Sequence, residues 1–230
     1  VPARGIAPGL DYSVYKEPGP NVVHVLRMDC RRPELSLKIG FPEGRRNYSN
    51  KETVSRIAGR YQSSSRKVLA AVNASFFGPA PAISGMLVSQ GDYIQIPAIP
   101  WDCWVHTRSG QNMLGLQLAS PGGRITFPGG KTLTVHRLNR IRRPDSLALY
   151  TPHYGESTGT TVEGIEVIVK EVSYPMTPDK EISGLVSAIH TGKESLDNPI
   201  PSSGLVLSAR GRMMKPLQDR VRVGQRLRLR

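Results

Sequence analysis

Hydrophobic positions in this chain fall into short runs and alternating stretches cut by glycine and proline, the pattern of strands joined by turns. Leu10-Asp11-Tyr12-Ser13-Val14-Tyr15 alternates as a short strand does. Residues 21–28 and 34–39 read as two further strands, joined through Asp29-Cys30-Arg31-Arg32-Pro33 as a hairpin. In the second of them Leu35, Leu37 and Ile39 alternate with Ser36 and Lys38. The best helix signal covers residues 49–61. There Ser49 and Glu52 have capping-box spacing, and Val54, Ile57, Ala58 and Tyr61 form one apolar stripe. This helix is expected to pack against the strand that follows.

That strand, Val68-Leu69-Ala70-Ala71-Val72, reads as a buried one running into a functional loop, Asn73-Ala74-Ser75-Phe76-Phe77-Gly78. A glycine turn, a short strand and a second turn follow over residues 83–91, an arrangement that would bring Asn73, Ser75 and Gly85 to one sheet edge. Short strands are expected at 101–104, 114–118 and 124–127, then at 146–150, 165–169, 185–189, 205–209 and 226–229. With 23 Gly and 19 Pro in 230 residues, the expected fold is a β-rich α+β one, with mixed or antiparallel sheets and few short helices. An N-terminal subdomain over residues 1–136 and a β-rich continuation of the same domain over 137–230 describe its organisation.

The formal charge of +13 makes the surface attractive to polyanions of any kind: nucleic acid, cell-envelope polymers or sugar phosphates. The basic residues are spread along the chain rather than massed in a tail. The two cysteines, Cys30 and Cys103, fit no zinc spacing; one disulfide in an exported chain and two free thiols are both open readings. No run is long and apolar enough to span a membrane. The chain starts at Val1 with no signal segment and reads as a processed or trimmed product.

Ala71-Val72-Asn73-Ala74-Ser75-Phe76-Phe77, followed by Gly85-Met86-Leu87-Val88-Ser89-Gln90-Gly91, resembles the paired motifs of the phosphodiester glycosidase family. The uncovering-enzyme members of that family take N-acetylglucosamine off a phosphodiester. The similarity continues in order through Val23 to Asp29, Leu138-Asn139-Arg140, and Asp145-Ser146-Leu147-Ala148-Leu149-Tyr150-Thr151-Pro152-His153-Tyr154-Gly155. It goes on through Ser157 to Val169 and Ile200 to Gly211. The family's later arginine motif and its Asn-Leu-Asp-Gly-Gly-Gly motif do not occur here, so the resemblance covers the N-terminal portion of the domain.

The resemblance implies an extracellular, periplasmic or cell-envelope hydrolase acting on glycosyl phosphodiesters or surface glycans. A second polypeptide, or further sequence, would complete its domain. Such hydrolysis needs donors or cations for the phosphate and a carboxylate at the sugar centre or on water. Asn73 and Ser75 are the hydrogen-bonding candidates and Glu166, with Asp92 behind it, the acid. Phe76, Phe77 and Gly85 are placed at the substrate, and Arg140 and Arg143, with Arg142 between them, hold phosphate. Bland readings stand beside these: Asn73 bonded to neighbouring backbone, the two phenylalanines as core anchors, and Glu166 as a structural partner. Trp101 and Trp104 around Asp102 could stack on a sugar ring or be core.

The five histidines are scattered with no i, i+4 pair, Ser208 lacks a nucleophile-elbow frame, and no phosphate-cradling loop or EF-hand spacing is present. No cofactor is expected, with a structural calcium ion on loop carboxylates left open. The alternative function is a non-catalytic structural or binding module of an extracellular or envelope assembly. Its basic surface would hold an anionic glycan, nucleic acid or protein partner.

Overall fold

The computed structural model describes residues 4–44, 51–74, 85–96, 101–107, 109–117, 123–177 and 180–230. In chain order the elements are β1 (Arg4–Ala7), β2 (Leu10–Lys16), β3 (Val22–Met28), α1 (Val54–Arg60), β4 (Leu87–Ser89), β5 (Asp92–Gln95), β6 (Trp101–His106) and β7 (Asn112–Gln117). Then come β8 (Arg124–Thr126), β9 (Thr132–Thr134), β10 (Arg137–Leu138), β11 (Leu147–Tyr150), β12 (Gly164–Lys170), β13 (Ile182–Gly192), β14 (Leu205–Ala209), α2 (Met214–Gln218) and β15 (Arg226–Leu229). The fold is β-rich α+β, with mixed and antiparallel sheets and only short helices.

The chain falls into two compact units. The first comprises Val1–Gly40, Val54–Asn73 and Trp104–Gly115, the second Phe41–Thr53, Ala74–Cys103 and Leu116–Arg230. This division interleaves the two along the sequence, where the pattern of elements suggests a single boundary near residue 137.

In the first unit β1, β2 and β3 form an antiparallel sheet. The apolar stripe of α1 is its more covered side, with Val54, Ile57 and Ala58 half-buried between exposed neighbours. Ile57 lies against Gly40, where a Cβ would come within 2.6 Å of Ile57 Cγ2. The Tyr61 hydroxyl donates to the Ile39 carbonyl at 3.3 Å. Two expected strands are absent. Residues 35–40 run irregularly with no partner strand, and Leu37 is exposed. Residues 67–74 form no strand either, and Val72 is 76% exposed rather than buried. That run is held at its start by Gln62, whose side chain accepts from the Val68 N–H at 3.0 Å. Of the expected capping box, Ser49 lies outside the described residues. Glu52 accepts from the Glu43 N–H at 2.8 Å.

The second unit is built on an eight-stranded sheet in the order β10-β11-β14-β12-β13-β15-β8-β9. β10 and β11 run parallel, and the remaining pairs are antiparallel. Strand alternation sorts its side chains onto two faces. One face carries Leu147, Leu149, Ile165, Val167, Leu205, Leu207, Leu227 and Leu229, the principal core. The opposite face carries a smaller apolar cluster of Ala148, Tyr150, Ile168 and Val206, and is otherwise polar.

Candidate functional site

The polar face is read across the strands by register. Arg137 of β10 stands beside Ala148 of β11, Ala148 beside Ser208 of β14, Ser208 beside Glu166 of β12, and Glu166 beside His190 of β13. Even spacing along five strands therefore puts a guanidinium, a hydroxyl, a carboxylate and an imidazole in one row.

Glu166 is fully buried at the middle of that row. Its Oε1 accepts from Ser208 Oγ at 2.7 Å and Thr160 Oγ1 at 3.1 Å, and its Oε2 from Asn198 Nδ2 at 2.9 Å and Thr158 Oγ1 at 3.2 Å. Four donors saturate the carboxylate, which is what a buried charge needs. Its cationic counterpart is Arg142, 7% exposed, whose Nη1 donates to the same Ser208 Oγ at 2.9 Å. Nη2 donates to the Val162 carbonyl, and the Arg142 N–H donates to the Tyr150 hydroxyl at 2.8 Å. Burial lowers the Arg142 pKa, and Glu166 and Tyr150 work against that. Arg142 is thus spent on the interior and is not an arm for phosphate. Glu166 holds the loops over the sheet and faces no open space.

The neighbouring arginines are different. Burial, then repulsion from Arg143 and Arg140, lowers Arg137 below the ordinary arginine range; burial and Arg143 do the same to Arg140. Among the described residues no carboxylate pairs with Arg137, Arg140 or Arg143. Three guanidinium groups stay charged beside one another. Their loop is locked: Asn139, in a left-handed conformation at φ 51°, donates from Nδ2 to the Ile94 carbonyl at 2.7 Å and to Thr151 Oγ1 at 2.8 Å. Its Oδ1 accepts from the Thr151 N–H at 2.7 Å. The Arg143 N–H donates to Ser146 Oγ at 3.0 Å, closing the turn back into β11.

Of the other expected site residues, Asn73 is exposed on irregular chain in the first unit. Gly85 is buried in the second, its carbonyl accepting from Gln95 Nε2 at 2.9 Å. Asn73 belongs to no strand, so no shared sheet edge forms through it. Ser75, Phe76 and Phe77 lie outside the described residues, as does the side chain of Trp101. Trp104 is 54% exposed and stacks on His106 at 6.0 Å between ring centroids. Cys30 and Cys103 are not joined in a disulfide. No group of three metal-ligating side chains occurs among the described residues. No helix among them is long and apolar enough to cross a membrane.

Sequence reasoning missed two features. Arg137 joins the cluster because β10 pairs in parallel with β11, which no local pattern signals. Asp92 is bonded to His153, 61 residues away, with Nε2 at 2.6 Å from Oδ2.

Burial also raises Tyr150 and Tyr174 above the ordinary tyrosine value of 10.0, with Tyr154 adding to the first and Asp92 to the second. A raised folded-state pKa supports folding below the unfolded value and withdraws that support as pH climbs past it. Urea midpoints are therefore expected to hold to about pH 10 and then fall steadily. Tyr174→Phe should flatten part of that fall; an unchanged slope would contradict the assignment.

No known family profile and no curated protein matches this sequence. Among solved structures, the chain is similar to a hypothetical protein from Synechocystis, with TM-score 0.76 and 21% identity. The match covers 100% of this chain and 41% of that one. It is also similar to a protein of Burkholderia pseudomallei K96243 whose given name marks it as exported, with TM-score 0.66 and 21% identity over 96% of this chain and 46% of that one. The chain thus spans less than half the length of either neighbour. At this identity the likeness concerns the fold.

Proposed function

We propose that this chain is the phosphate-holding part of a phosphodiester glycosidase-like hydrolase, exported from the cell and acting on glycosyl phosphodiesters or surface glycans. The observation that carries the reading is the cluster Arg137, Arg140 and Arg143, three neighbouring cations with no carboxylate partner among the described residues, on the end of β10 and the loop pinned by Asn139. A phosphoryl group relieves their mutual repulsion and takes their donors in charge-assisted hydrogen bonds. The export assignment draws on the Burkholderia neighbour's name. Further polypeptide would supply the rest of the catalytic machinery.

The non-catalytic binding module has its own supporting observation. Glu166, the acid candidate, has all its acceptor sites engaged by Ser208, Thr160, Asn198 and Thr158. Both readings share the arginine site and part at turnover.

Inorganic phosphate titrated into the protein is expected to move the backbone amides of residues 137–143, and less so as salt rises. Arg140→Ala should weaken the affinity roughly tenfold to a hundredfold. Unmoved amides, or an Arg140→Ala affinity equal to wild type, would refute the site. Release of free sugar from an N-acetylglucosaminyl phosphodiester by the native protein favours the hydrolase, and binding without release favours the module.

A further inference from the structure

We infer that Asp92 and His153 form the proton-transfer pair of the anion site, with His153 Nδ1 as the accepting atom. The assignment rests on the arginine reading above. His153 Nε2 lies 2.6 Å from Asp92 Oδ2, and Asp92 Oδ1 accepts from the Met176 N–H at 2.8 Å, so both oxygens of the carboxylate are fixed. The side chains are 14% and 6% exposed, enough for the imidazole to reach a ligand while the bond to Asp92 stays dry. Tyr174 meets the ring edge-on at 6.1 Å, and Thr151 Oγ1 accepts from the His153 N–H at 3.3 Å. Because a carboxylate only accepts, neutral His153 carries its proton on Nε2 and leaves the Nδ1 lone pair available. No hydrogen bond is made at Nδ1 among the described residues.

Placement connects this pair with the arginines. Asn139 is bonded both to Thr151, two residues before His153, and to Ile94, two residues after Asp92 on β5. Arg140 follows Asn139 directly. One buried amide therefore ties the arginine loop to both segments that carry the Asp92–His153 pair, just beyond the carboxyl ends of the parallel strands β10 and β11.

The step balances with water as the co-reactant. Water oxygen bonds to the anomeric carbon, and the carbon–oxygen bond to the phosphoryl group breaks with its electron pair going to the leaving phosphomonoester. One water proton passes to His153 Nδ1, and the imidazolium, stabilised by Asp92, returns it to solvent. The arginines hold the departing phosphate.

The test uses the full chain with 15N-labelled histidine and inorganic phosphate as the probe, His153→Gln identifying the resonances. Neutral His153 is expected to show the Nε2–H pattern. Its ring signals should move on phosphate addition with the same dissociation constant as the amide of Arg140. An Nδ1–H pattern overturns the assignment, since the accepting lone pair would be occupied. Phosphate saturating residues 137–143 while the His153 ring stays unmoved overturns the pair and leaves the arginine site standing. Failure of phosphate to reach the arginines overturns both.

Discussion

Glu166→Ala is expected to lower the stability of the protein by about 3–5 kcal/mol, read as a drop in urea midpoint at unchanged slope. The side chain is fully buried, and its removal leaves Ser208, Thr160, Asn198 and Thr158 without their acceptor. It also leaves the buried Arg142 guanidinium without the charge that offsets its desolvation. Glu166→Gln keeps the shape but turns an amide NH₂ toward donors, and should cost about 1–3 kcal/mol. Removing both charges, in Glu166→Leu with Arg142→Leu, should cost less than the alanine change alone, because an unpaired buried charge is worse than none. A loss below 1 kcal/mol for Glu166→Ala would mean that the carboxylate is not the anchor of this face.

Gly164→Ala is the second large effect, and it arises from space alone. A Cβ at Gly164 would sit 2.3 Å from the Ala209 carbonyl oxygen and 2.5 Å from Arg142 Nη1. The first of these is backbone of the neighbouring strand β14 and cannot swing aside. Strands β12 and β14 must part at the end of their ladder, and Arg142 must shift. We expect a loss of about 3 kcal/mol, at the upper end of overpacking costs. Gly59→Ala gives the opposite sign. It lies in α1 with nothing within 4 Å of its Cβ position, and should stabilise by about 0.5–1 kcal/mol through helix propensity. Equal effects at the two glycines would contradict the packing described for β12.

The strands that sequence patterning located well are those whose ends are marked by glycine or proline and whose apolar residues find a neighbour. Residues 205–209 and 226–229 become β14 and β15 without shift, and residues 165–169 fall within β12. Alternation over residues 34–39 is as clean, yet among the described residues no strand pairs with it, because periodicity reports a face and not a partner. The apolar run 68–72 fails for a related reason. Two of its five residues are alanines with little surface to bury, and Val72 ends up in solvent. In the candidate site Arg140 and Arg143 were legible as charge near a turn, whereas the inward path of Arg142 depends on Ser208, 66 residues later. The bonds of Asn139 to Ile94 and of Asp92 to His153 span 45 and 61 residues. Nothing local in the chain announces them.

The short edge strand β10 has a consequence for solution behaviour. A sheet edge with unpaired backbone groups invites another chain to add a strand, and charge on that edge discourages it. β10 is two residues long, and Arg137 on it is followed by Arg140 and Arg143 in the adjoining loop, Arg142 being turned inward. Any copy approaching edge-on meets like charge before it can form a ladder. The cations proposed to hold phosphate thus also keep molecules apart, so neutralising them, by mutation or by a saturating polyanion, should promote self-association at concentrations where the free protein stays dispersed.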